Sequence, residues 1–293
     1  MYKNSIQMNA FEVASYKGLN IADHLQGVAK ECYLSAWKWM EMAWGNNVEF
    51  QRLSEQILLC SETVDYLYGE TPNPVKYIRG SRPILEREVE EICKNAKSDR
   101  DKVLAILVYI RDLHKKSGGA DFFWGGTEEE LIKKGEGYCE RVSRLMVSLC
   151  EIAGFPGRIV FHIATGHITC EIFLEGKWAY FDPRYGMFCL DEKNRFLSVF
   201  EILNDRTAIY RQNDFVKSFI LEGESADFRQ HYNYNYCFNP KELQCIGEYS
   251  LMDADKYNFN WVSSDYHGLP AETLKVHRRY VETGAMTLIN ITD

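Results

Sequence analysis

The chain has 293 residues, 46% of them hydrophobic and 26% charged, with a formal net charge of −8. That is ordinary globular usage with enough apolar residues for a sizeable core, which excludes a disordered chain as the expectation. The acidic balance, and a longest basic cluster of only His114-Lys115-Lys116, exclude binding to nucleic acid by phosphate neutralisation.

No apolar run reaches the length of a membrane span, and Met1-Tyr2-Lys3-Asn4-Ser5-Ile6-Gln7 is not followed by an apolar signal-peptide core. The expectation is a cytoplasmic protein without membrane contact, or a secreted one if a leader was removed. The cysteines are Cys32, Cys60, Cys93, Cys139, Cys150, Cys170, Cys189, Cys237 and Cys245. They are odd in number and form no Cys-x-x-Cys pair, so scattered reduced thiols are expected rather than a zinc ribbon. His24, His231, His267 and His277 have no metal-ligand spacing either. Neither a metal nor a cofactor is expected.

In chain order, Ala22 to Trp44 and Glu49 to Tyr68 hold few glycines, no proline and apolar residues at mixed three and four spacings, which predicts helices. Trp37, Trp39, Met40 and Trp44 read as packing between them. Gly69-Glu70-Thr71-Pro72-Asn73-Pro74 and Gly80-Ser81-Arg82-Pro83 are breaks. Ser98-Asp99-Arg100-Asp101 starts a helix whose buried face is Val103, Ile106, Leu107, Ile110 and Leu113, ending before Gly118-Gly119. Ala120 to Gly137 is loop with a short helical piece at Glu128 to Lys134. A helix then begins at or just before Cys139, with Val142, Leu145, Met146, Leu149 and Ala153 inward, and Gly154-Phe155-Pro156-Gly157 ends it. Arg158 to Ala164, His167 to Leu174 and Lys177 to Phe181 are strands, closed by Asp182-Pro183. Beyond about Phe200 the pattern weakens, leaving an alternating run at Tyr232 to Phe238 and a helix at Ala271 to Glu282. The expected division is a helical N-terminal region over 1–97, a catalytic core over 98–205, and an extension over 206–293 packing on the core.

Two local patterns carry chemistry. Gly135-Glu136-Gly137-Tyr138-Cys139 places a small-residue turn directly before a helix, so Cys139 stands at the end of the helix dipole that favours a thiolate. Glu175-Gly176 separates two strand-like runs as a hairpin turn. With a two-residue loop, Leu174 faces Lys177, Phe173 faces Trp178, Glu171 faces Tyr180 and Thr169 faces Asp182. His167 is then a diagonal neighbour of Asp182 on one side of the sheet. Ile168, Cys170, Ile172, Leu174, Ala179 and Phe181 share the other, apolar side. A slip of one residue would destroy both arrangements together. A carboxylate beside an imidazole fixes its tautomer, and a Cys-His-carboxylate set is what attack on an amide or ester carbonyl requires.

The stretch from about Lys102 to Asp205 resembles the transglutaminase-like superfamily core. The resemblance rests on Gly137-Tyr138-Cys139, Gly154-Phe155-Pro156-Gly157-Arg158, His167-Ile168-Thr169-Cys170-Glu171, Gly176-Lys177-Trp178 and Asp182-Pro183, in that order. It implies an α+β, papain-like fold in which the nucleophile's helix packs on an antiparallel sheet. It also implies Cys139 as nucleophile, His167 as general base and acid, and Asp182 as orienting carboxylate.

The expected activity is hydrolysis or acyl transfer at amide bonds through a thioester, on a peptide, protein or glycopeptide substrate. Protein crosslinking and peptide N-glycanase activity are disfavoured, since neither flanking β-sandwiches nor paired cysteines are found; a non-catalytic binding or scaffold protein is the alternative. Oxyanion donors would be the Cys139 backbone N–H and a side chain such as Trp124. Tyr138 and Arg184 are expected against substrate. Arg158 and Arg184 could meet an anionic group, though structural pairing is the simpler expectation. Glu171 reads as a buried or salt-bridged carboxylate, and His162 as structural or pocket-lining.

Overall fold

A computed structural model describes residues 56–59, 64–69, 71–72, 75–116, 127–135, 139–162, 167–220 and 249–252. The helix expected over Ala22–Trp44 with its tryptophan cluster, the run Tyr232–Phe238 and the helix Ala271–Glu282 lie outside them.

Among the described residues the frame is a six-stranded antiparallel sheet. Its strands are β1 (Gln56–Leu58), β2 (Gly157–His162), β3 (His167–Leu174), β4 (Lys177–Asp182), β5 (Met187–Phe188) and β6 (Tyr249–Met252), in the spatial order β1-β6-β2-β3-β4-β5. The helices are α1 (Val64–Gly69), α2 (Pro83–Cys93), α3 (Asp99–Lys116), α4 (Glu128–Lys134), α5 (Cys139–Ile152), α6 (Val199–Asn204) and α7 (Asp214–Lys217), with a 3-10 turn at Arg206–Arg211.

The elements of the middle third follow local rules. Ser98 accepts from the Asp101 N–H at 3.1 Å and starts α3, whose expected inward face, Val103, Ile106, Leu107, Ile110 and Leu113, is buried throughout. Thr127 and Glu130 form a reciprocal capping box on α4. Glu175 and Gly176 both take positive φ, 55° and 78°, which is the turn that matches strand twist in a two-residue hairpin. Arg100 grips the Glu175 carboxylate with two bonds of 2.8 and 2.7 Å, holding the non-glycine residue there. The resulting register pairs Leu174 with Lys177, Phe173 with Trp178 and Glu171 with Tyr180.

Helix α5 lies on the apolar face of β2 and β3. At Gly157 a Cβ would stand 3.0 Å from both Val147 and Ile172 side chains, so the small residue permits this close approach. Helix α3 packs on both α2 and α5. The opposite face of the sheet is covered by α1 and the start of α6, through contacts to Glu171.

The helix expected over Glu49–Tyr68 is corrected by the structure. Gln56–Leu58 is a strand paired with β6, and α1 begins only at Val64. Here pairing with a segment nearly two hundred residues away overrides a weak helical pattern. The short strand β6, also paired with β2, carries no turn signals or alternation that would announce it. Helix α2 follows the Gly80–Pro83 break, with Pro83 at its first position, where the missing N–H costs nothing.

Candidate functional site

Cys139 is the first residue of α5 and is 7% exposed. Four residues on, the Ser143 hydroxyl donates to the Ile168 carbonyl at 3.0 Å. That bond ties the first turns of α5 to β3, one residue from His167. His167 opens β3 and Asp182 closes β4, so the hairpin register sets their separation. His167 Nε2 lies 2.7 Å from Asp182 Oδ2. The other carboxylate oxygen accepts the Arg184 backbone N–H at 3.2 Å. Cys139 is hydrogen-bonded to the same imidazole. With Nε2 committed to the carboxylate, Nδ1 is the nitrogen left for sulfur.

Burial alone would push the His167 pKa down. The Asp182 charge and hydrogen bond, helped by Cys139, overcome that and raise it to about 10. His162 is the cross-strand partner of His167 and packs on Tyr249 with ring centroids 4.7 Å apart. Burial, with the charges of His167 and Arg206 nearby, holds its pKa down at about 3, so it stays neutral. Two histidines side by side thus take opposite charge states, and only the one with a carboxylate is charged.

Arg184 is half-buried, with its guanidinium 5.2 Å from the Tyr185 ring centroid. Tyr185, 5% exposed, stands beside the His167 ring at 6.2 Å. Trp124 and Tyr138 lie outside the described residues. Arg158 does not face a ligand: both its Nε and Nη2 donate to Glu171 Oε2, at 2.9 and 2.7 Å.

The sequence reading missed Ser143 and Tyr185 as neighbours of the site. It also missed a buried ionic cluster behind Cys139, in which Arg82, Glu128, Glu140, Arg141 and Arg144 are all 3% exposed or less. The apolar stripe of α5 alone implies a helix with one buried face, whereas every residue from Cys139 to Glu151 is buried. Charged residues so close to the apolar stripe were the available signal. No helix among the described residues is long and apolar enough to cross a membrane.

Residues 87–183 match the family model of the transglutaminase-like superfamily, a segment of about a third of the chain that holds Cys139, His167 and Asp182. No curated protein and no solved structure gives a match. The family commonly carries cysteine-based acyltransferase or hydrolase activity. The sheet with the α5 helix against it is the α+β architecture expected of that family. Residues 87–183 of this chain therefore form a domain of the transglutaminase-like superfamily.

Proposed function

We propose that the protein is a cysteine hydrolase or acyltransferase acting on amide bonds of peptide or protein substrates, with Cys139, His167 and Asp182 as its catalytic groups. The observation that carries this reading is the 2.7 Å His167–Asp182 pair with Cys139 bonded to the same ring. A protonated imidazole beside the sulfur is the electrostatic partner a thiolate needs. The thiolate attacks the amide carbonyl carbon, and the C=O π electrons move onto oxygen. Free N–H groups at the start of a helix such as α5 are the donors that would receive that charge. As the tetrahedral species collapses, the C–N bond breaks. The proton held on His167 goes to the departing amine, leaving an acyl thioester on Cys139. Neutral His167 then takes a proton from water or an acceptor amine, which attacks the thioester carbonyl; the C–S bond breaks, the acyl product leaves, and the thiolate beside protonated His167 is restored. Asp182 holds the ring orientation through both halves.

The test is mass spectrometry of glutaminyl and other peptides incubated with wild type and Cys139→Ala, with and without an added primary amine. Wild type should release ammonia or a shortened peptide, or form the amine adduct, and Cys139→Ala should do none of these. Equal iodoacetamide labelling of Cys139 and Cys93 in the native protein, together with no product from any peptide, would sink the proposal and leave a binding module on this fold.

A further inference from the structure

Helix α5 is buried along its length although Glu140, Arg141 and Arg144 occupy its first two turns. Charges in such a place need partners, since an isolated buried charge is not tolerated. The partners come from two other elements. Glu128, the first residue of α4, brings its Oε1 to 2.9 Å from Arg144 Nε. Its Oε2 accepts from Arg82 Nη2 at 2.6 Å. Arg82 immediately precedes α2 and turns the rest of its fork onto Glu129, with bonds of 2.9 and 2.7 Å. Glu140 lies 3.2 Å from Arg141 and 3.9 Å from Arg144. Among the described residues three guanidinium groups meet three carboxylates, and these six charges balance. The Arg144 and Arg82 charges outweigh the burial penalty and hold the Glu128 carboxyl below its usual range, so it stays ionised.

The place of this cluster is what gives it meaning. Its members belong to the start of α2, the start of α4 and the start of α5, and Cys139 is the residue at which α5 starts. The α4 helix is itself fixed by its capping box and closes at Gly135, four residues before Cys139. Apolar contacts resist separation but allow rotation and sliding. The two bonds of Arg82 to Glu129 fix direction as well as distance, and the buried Arg144–Glu128 ion pair adds an anchor for α5. Glu128 bonds Arg82 and pairs with Arg144 rather than meeting the sulfur or the imidazole, so its effect on the chemistry passes through the helix.

We propose that Glu128 is a positioning residue for Cys139: by bridging Arg82 and Arg144 it fixes the rotation and pitch of the first turn of α5, and with them the aim of the sulfur at His167. This rests on the reading of Cys139 as nucleophile. The experiment compares full-length wild type, Glu128→Gln, Arg144→Lys and His167→Ala. It reads the ratio of iodoacetamide alkylation at Cys139 to that at half-buried Cys93 over about pH 5–9, with thermal melting as the check on folding. In folded Glu128→Gln protein the ratio should fall about tenfold or more and its pH midpoint should move, since a misaimed sulfur loses its charged partner. Arg144→Lys, which keeps a positive charge beside Glu128, should fall less. If His167→Ala leaves Cys139 alkylation unchanged, the triad reading fails and this proposal with it. If His167→Ala slows it while folded Glu128→Gln keeps the wild-type ratio and pH profile, the triad stands and the positioning role is overturned. If neither Glu128→Gln nor Arg144→Lys folds, the cluster is a folding element and the proposal is likewise overturned.

Discussion

Two buried carboxylate–cation pairs share one side of β3, four residues apart, and differ in how their bonding capacity is used. Glu171 accepts from Arg158 twice, from the Tyr68 hydroxyl at 3.0 Å and from the Val199 N–H at 2.8 Å. Arg158 lies between the rings of Tyr68 and Trp178, 4.6 and 4.0 Å from their centroids, and donates to the Leu67 carbonyl as well. Burial and the Glu171 charge push the Tyr68 phenol pKa up, so it stays a donor. That pair is closed to any ligand. Asp182 instead grips one side of a ring whose other side meets Cys139, and the cation in this pair can give up its proton. Saturated bonding on a permanent charge makes architecture, while a titratable cation that also meets a thiol can do chemistry.

The sharpest way to break that contrast is Asp182→Asn. An amide cannot hold the imidazolium, so Cys139 alkylation and turnover should fall by roughly 10²–10⁴ in protein that still folds. The His167 pKa should drop from about 10 back toward its ordinary value. Stability carries the same signature. A raised folded pKa contributes stability that is fully present below about pH 6.5 and is lost as pH rises toward about 10. Wild type should therefore lose unfolding free energy across that window, and Asp182→Asn should lose much less. Urea melts of the two proteins at both ends of the window decide it; parallel curves would contradict the assignment.

Glu171→Gln tests the other member of the comparison and should give the opposite result. It leaves Arg158 buried with half its partner, which costs about 3–5 kcal/mol. Alkylation of Cys139 per folded molecule should stay near wild type. A Glu171→Gln protein of normal stability with an unreactive Cys139 would show that the two pairs are not separable as architecture and chemistry.

What could be read from sequence was whatever is local. Turn residues, one apolar face and period-two alternation fixed the β3–β4 register, and that register brought His167 to Asp182 without reference to the rest of the chain. The cap and apolar spacing of α3 and the start of α5 at Cys139 were legible for the same reason. What was not legible depends on distant partners. Gln56–Leu58 is a strand only because β6 lies beside it. Arg144, buried with Glu140 and Arg141 on α5, meets Glu128, which comes from another element and is itself held by Arg82. Tyr185 becomes a neighbour of His167 only after the chain turns behind β4.

Glu151 extends the comparison to a buried carboxyl whose burial outweighs the pull of the Lys76 charge, and it should give the smallest effect. It sits in the last turn of α5, 1% exposed, where the helix dipole disfavours a negative charge. One oxygen accepts the Lys76 N–H at 3.1 Å and the other has no hydrogen-bond partner. Burial raises its pKa to about 7, against the opposing pull of the Lys76 and Tyr77 backbone and the Lys76 charge. The sign is the reverse of the Asp182 case. Folding costs nothing at this group while both states are protonated, below about pH 4.5. The cost grows as pH rises and is complete above about pH 7. Glu151→Gln removes the ionisation and keeps the shape. It should match wild type near pH 4 and exceed it by roughly 2–3 kcal/mol at pH 8. Urea melts at the two pH values provide the check. An equal difference at both would mean that the carboxyl stays ionised in the folded protein, the Lys76 charge and backbone donors being enough to offset its burial.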